Sequence, residues 1–183
     1  MKQLFQNLNT LRVLAFFFDF PREKEYLRSL ARRLKMSPAT VLRVLELLVN
    51  AGLVERLPET RGAYYRASFS PYFCHLKTAY SLEKFSTELL ASKVINSSSA
   101  VNAVILYGSV AKGEDDAASD IDLLVIAKKC GVSSAELSEI AGKQVSLKVV
   151  SLVEWSKLAR TRSAFYWEVI ASGIMLYGEK PVV

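Results

Sequence analysis

The chain has 183 residues, of which 51% are apolar and 23% charged, and its formal net charge is +6. This is a globular composition with room for one ordinary domain or two small ones, and it excludes a disordered or fibrous chain. The longest uncharged run, Val94 to Ala111, is interrupted by Asn96, Ser97, Ser98, Ser99, Asn102 and Ser109, so no membrane span is expected. The apolar stretch Val13 to Phe18 is short and has no small-residue cleavage site, so no signal peptide is expected either. Cys74 and Cys130 have no CxxC partner and read as buried or free thiols of a cytoplasmic protein. The charge is uneven. Residues 1–68 hold twelve of the 24 basic and six of the 18 acidic residues, which accounts for the whole excess and leaves the remainder neutral. Such asymmetry is expected where one end of a chain meets a polyanion such as nucleic acid.

Leu11, Leu14, Ala15 and Phe18 recur at helical spacing, which predicts a helix over 8–18 that stops before Pro21. A second helix is predicted over about 23–34, with Leu27, Leu30, Ala31 and Leu34 on one face and Arg28, Arg32 and Arg33 turned away. Residues 35–38 read as a stop and restart, with Ser37 as N-cap and Pro38 in the first turn. A third helix follows over about 38–51, burying Val41, Val44, Leu45 and Leu48, and Gly52 ends it. Two extended runs, 53–57 and 63–67, flank Pro58 to Gly62 and predict a hairpin.

Three helices with a tight turn between the second and third, closed by a hairpin, resemble a winged helix-turn-helix domain, expected over residues 1–69. The resemblance implies that the third helix enters the DNA major groove, with Ser37, Ala39, Thr40 and Arg43 at its outward N-terminal end. Arg61 at the hairpin tip would neutralise phosphates together with Arg32 and Arg33. Winged helices also bind proteins or dimerise, and Leu47 on the outward face of the third helix fits that use. A protein partner and a homodimer therefore stay open beside DNA.

Residues 70–95 read as one long linking helix carrying Tyr72, Leu76, Tyr80, Phe85, Leu89 and Leu90, and 96–99 read as a hinge. His75, the only histidine, lies on that helix without carboxylate neighbours and is expected to be structural. The chemistry is concentrated further on, in AVILYGSVAKGEDDAASDIDLLVI (103–126). Ala103 to Tyr107 reads as a buried strand ending at Gly108-Ser109, followed by a helical turn to Lys112 and a polar loop over 113–119. Asp120 and Asp122 open a second apolar strand, Leu123 to Ile126. A glycine after a strand lets the backbone approach an anion without a Cβ in the way. The N–H groups of the next turn and the Ser109 hydroxyl can then hold phosphate oxygens. Asp120 and Asp122 leave the same face of a strand about 7 Å apart, and two such carboxylates repel unless a cation lies between them. Hard oxygen ligands suit Mg²⁺, with Mn²⁺ as the alternative. The glycine pattern fits neither a Rossmann fingerprint nor a Walker loop.

A glycine-serine pair separated by ten residues from Asp-Ile-Asp is similar to the nucleotidyltransferase superfamily related to DNA polymerase β, and more closely to its minimal bacterial and archaeal domains. The resemblance implies a nucleotidyltransferase-like domain over residues 96–183. In it Gly108, Ser109 and Lys112 would hold a nucleoside triphosphate while Asp120 and Asp122 would be the catalytic metal ligands. Family members also act as antitoxins, so a partner-masking role is implied as an alternative. One departure stands out. The family's third carboxylate falls on a later strand, here 144–150, and the aligned position is Ser146; no spacing favours Asp115 or Asp116 as its replacement. Nucleotide binding is therefore expected more firmly than transfer, and the domain can instead serve a DNA-binding regulator as a nucleotide sensor or docking module.

Helices over 133–141, 153–159 and 163–171 and a strand over 173–177 complete the expected domain. Trp155, Phe165, Tyr166 and Trp167 are expected as core rather than as the wall of a base pocket. The fold class expected is α+β: a winged helix, a linking helix, and a mixed sheet with flanking helices. No internal repeat or low-complexity segment is present.

Overall fold

The computed structural model describes residues 8–60 and 62–182, and the chain divides into two compact units, Met1–Tyr80 and Ser81–Val183. The first contains α1 (Asn9–Asp19), β1 (Glu25–Tyr26), α2 (Leu27–Leu34), α3 (Pro38–Asn50), β2 (Val54–Glu59) and β3 (Gly62–Ala67), and α4 (Pro71–Lys84) begins in it. Its helices form where the apolar spacing requires. Val13, Phe17, Leu30, Val41 and Leu45 are fully buried in one core, closed by Phe73 of α4. Ser37 caps α3 by accepting from the Thr40 N–H at 3.1 Å, with Pro38 in the first turn. The far end of α3 closes with paired bonds from Gly52 N–H to the Val49 carbonyl and Leu53 N–H to the Leu48 carbonyl, and Gly52 has φ +69°. That left-handed position is where a helix C-terminus favours glycine.

Two expectations give way here. The second helix starts at Leu27 rather than Glu23, because Glu25 and Tyr26 are drawn into a strand pairing with Tyr65 and Tyr64 of β3. The sheet order is β1-β3-β2, all antiparallel. The continuous helix expected over 70–95 is two helices, α4 and α5 (Thr87–Ser97). They break at Ser86, which takes φ +52°, and α5 runs almost directly into the next strand instead of ending in a hinge at 96–99. The break places Phe85 in the second unit's core with Leu90, Ala91 and Val94 of α5.

The second unit continues with β4 (Ser99–Tyr107), α6 (Gly108–Lys112), β5 (Ile121–Lys129), α7 (Ser134–Ala141), β6 (Val145–Val150), α8 (Leu152–Arg160), α9 (Ala164–Ser172) and β7 (Ile174–Gly178). Its sheet is mixed, in the order β6-β5-β4-β7, with β5 and β6 parallel and the other pairs antiparallel. The central strands β4 and β5 are buried on both faces, which is why they read as unbroken apolar runs. Strand alternation sorts them into two cores. Val104, Leu106, Leu123 and Val125 face α5 and α7, whereas Ala103, Ile105, Leu124 and Ile126 face Trp155 of α8 and Tyr166 and Val169 of α9. Ser133 and Ser151 begin α7 and α8 as capping boxes with Glu136 and Glu154. No described helix is long and apolar enough to cross a membrane.

Candidate functional site

Residues that leave a strand at alternate positions share a face. Ile105 and Leu124 pack towards α8 and α9, so Tyr107, two residues after Ile105, and Asp122, two residues before Leu124, end on that same face. Tyr107 and Asp122 are also direct cross-strand partners. At this end of the sheet the chain leaves β4 through Gly108, which adopts φ +71°. A Cβ at Gly108 would run into the carboxylate of Asp122. The glycine therefore meets two demands together: a left-handed turn and a backbone close against an acid. Gly108 opens α6, Ser109 is half-buried in its first turn, and Lys112 closes it.

The electrostatics concentrate on Asp122. Its carboxyl is pushed above the usual carboxylate range, first by burial and then by the negative charges of Asp120 and Glu168, while a hydrogen bond from the Ser146 hydroxyl opposes the shift. The same burial, with the charges of Asp122 and Glu168, raises the Tyr107 phenol. Asp120 stands exposed just before β5 rather than on it, and its charge is felt at Asp122. Ser146 lies directly beside Asp122 in the parallel β5–β6 register. Its hydroxyl donates a hydrogen bond to that carboxylate and adds no negative charge.

Glu168 is the residue that sequence reasoning missed. It is the single charged side chain of α9, and that isolated acid in an apolar helix was the available signal. Its carboxylate accepts from Lys112 Nζ at 2.7 Å, so the lysine expected at the phosphates is paired with an acid. Asp116 is occupied differently, holding its own loop by accepting from the Ala118 N–H at 3.0 Å and the Ser119 hydroxyl at 3.1 Å. Among the described residues no three carboxylate, imidazole or thiol groups converge to hold a metal ion.

The aromatic residues divide. Trp155 and Tyr166 are buried, as expected of core. Trp167 is 54% exposed, and Phe165 lies edge-on to Tyr107 with Lys148 Nζ 3.8 Å from its ring centre. Phe165 thus borders the Asp122 face of the sheet.

With this geometry in view, residues 91–181 match the model of the family described as polymerase beta, nucleotidyltransferase. Residues 91–181 are a nucleotidyltransferase domain. Such domains act on nucleoside triphosphates and generally use divalent metal ions. No curated protein matches the chain. A crystal structure described as a toxin-antitoxin with AMP-PNP aligns over 51% of this chain and 74% of that one, with 21% identity and a TM-score of 0.39. A likeness that distant carries no argument about function.

In the N-terminal unit, Ser37 and Thr40 are both engaged in capping α3, with their hydroxyls 2.8 Å apart. Arg32 and Arg43 are exposed on α2 and α3. Arg61 lies outside the described residues. Arg33, also expected at phosphates, is exposed on α2 and makes contacts within the unit. Its guanidinium donates to Glu23 at 2.8 Å and Glu25 at 2.6 Å and stacks 4.7 Å over Phe16 and 4.8 Å over Phe20. Both bonds leave from Nη1, and the side chain stays 40% exposed.

Proposed function

We propose that the nucleotidyltransferase domain binds a Mg²⁺-bound nucleoside triphosphate, with Asp120 and Asp122 as cation ligands and the Gly108-Ser109 turn and Lys112 at the phosphates. The observation that carries this reading is the Asp122 carboxylate lying against the Cβ-less backbone of Gly108. A cation held by the aspartates would then lie close to the turn that begins α6, whose first N–H groups have no acceptor within the helix. Two oxygen donors of this kind fit Mg²⁺, with Mn²⁺ as a substitute. When bound, the cation would neutralise the triphosphate and align an acceptor hydroxyl, so that a nucleoside monophosphate passes to the hydroxyl and pyrophosphate leaves.

Calorimetric titration of ATP, CTP, GTP and UTP with Mg²⁺ tests the reading. Saturable binding of at least one nucleotide is expected, and its loss in Asp120→Asn/Asp122→Asn; no binding of any of the four would overturn it. The double variant is expected to melt no lower than the unaltered chain. A carboxyl whose folded pKa is raised contributes stability that is present below its unfolded pKa and lost as pH rises through the folded value. Charged Asp122 therefore weakens the fold at neutral pH, and asparagine removes that charge.

The N-terminal unit reads as a winged helix that binds DNA, supported by three helices ahead of a hairpin and by the +6 charge of residues 1–68. Arg43 on α3 would reach base edges, and Arg32, Arg33 and Arg61 would meet phosphates. Affinity for duplex DNA is expected to fall steeply with salt, and Arg43→Ala to weaken it about tenfold. In fluorescence anisotropy, binding unmoved by salt, by Arg43→Ala and by Arg61→Ala would rule this interface out.

A further inference from the structure

The charge pattern around Lys112 does not match a lysine simply waiting for phosphate. Its ammonium is joined to Glu168 at 2.7 Å, and both side chains keep more than a third of their surface exposed, 35% for Lys112 and 39% for Glu168. A pair that open is weak, so a polyphosphate with several charges takes the lysine from a single carboxylate. Glu168 is then left on the face it already shares with Asp122 and Tyr107. α9 packs against both α6 and β4, and Phe165 of the same helix stands edge-on to Tyr107. Three carboxylates with Lys112, and with Lys148 against the Phe165 ring, leave this face at a net −1, an acidic surface that attracts a cation. On β6, the strand neighbour of Asp122 is Ser146, which supplies a hydroxyl and no carboxylate.

We propose that Glu168 is the third cation-binding carboxylate of this domain, held by Lys112 until a triphosphate draws the lysine away and releases Glu168 towards the cation at Asp120 and Asp122. The proposal rests on the reading of those aspartates as the cation site. It explains how a chain with serine at the strand position assembles three acidic groups only when both phosphate and metal are present. It also explains why the three do not converge while Lys112 and Glu168 are paired.

The exchange has a signature that a merely structural role lacks. The probes are inorganic tripolyphosphate in EDTA and preformed Mn²⁺–tripolyphosphate, each titrated calorimetrically into the full chain. Glu168→Gln frees Lys112, so metal-free tripolyphosphate should bind about fivefold more tightly. The same variant loses a cation ligand, so Mn²⁺–tripolyphosphate should bind about tenfold more weakly. Glu168→Asp keeps the charge on a shorter arm and should also weaken the Mn²⁺ complex. Shifts of one sign with both probes, or an unchanged Mn²⁺ complex in Glu168→Gln, would overturn the exchange. An Mn²⁺ complex that Glu168→Asp binds as tightly as the unaltered chain would reduce Glu168 to a remote charge and overturn it too. Mn²⁺–tripolyphosphate binding that survives Asp120→Asn/Asp122→Asn would instead overturn the aspartate site itself, whatever the Glu168 variants do.

Discussion

Replacing Gly108 with alanine is expected to abolish triphosphate binding and lower the stability of the second unit by about 1–2 kcal/mol. Two separate causes act at this position. The backbone sits at φ +71°, where a side chain is strained whatever the space around it. The added methyl group also meets the Asp122 carboxylate head-on, so the acid has to swing out of the position from which it would hold a cation. Gly142→Ala separates the two effects. Gly142 has a similar φ of +65° at the end of α7, and nothing lies within 4 Å of where its Cβ would be. That variant should lose comparable stability in a thermal melt and still bind the nucleotide in calorimetry. Equal binding by Gly108→Ala and the unaltered chain would mean that the contact between Gly108 and Asp122 has no part in the site.

What the sequence made legible was local chemistry. The β4–turn–β5 segment announced itself because both central strands are buried on two faces, and β4 ends at Gly108 while β5 begins just after Asp120. Ser37, Pro38 and Gly52 marked the ends of α3 for reasons contained within a few residues. The features missed all depend on distant partners. Glu25 and Tyr26 form a strand only because β3 offers them a ladder. Arg33 has the periodicity of a solvent-facing residue and is exposed, but only folding brings two glutamates and two phenylalanines beside it. Ser86 breaks a long helical pattern without a glycine or proline to signal it; burial of Phe85 on one side and of Leu90 and Val94 on the other favours the kink. Glu168 meets Lys112 through the packing of α9 on α6, elements 56 positions apart along the chain at these two residues. A candidate site was therefore readable at its motif and unreadable at the acid that pairs with the motif's lysine.

Trp155→Ala tests whether the two units are also separate in energy. Trp155 is fully buried against Tyr166, with ring centres 4.9 Å apart, and its indole N–H donates to the Pro181 carbonyl at 2.7 Å. Truncating it leaves a cavity under α9 and removes the anchor of the C-terminal segment, at a cost of about 3–5 kcal/mol. That is a large share of the roughly 5–15 kcal/mol that stabilises a whole domain. Among the described residues, the core of the first unit runs from Val13 to Phe73 with Leu76 and Tyr80 packed against it, and includes none beyond Tyr80. Scanning calorimetry of the variant is therefore expected to show one transition moved down by several degrees and another left in place, with the proposed nucleotide binding lost at temperatures where the proposed DNA binding persists. A single transition that shifts as a whole would show that the cores melt together. Loss of DNA binding in parallel with nucleotide binding would then follow from shared stability rather than from any signal between the sites.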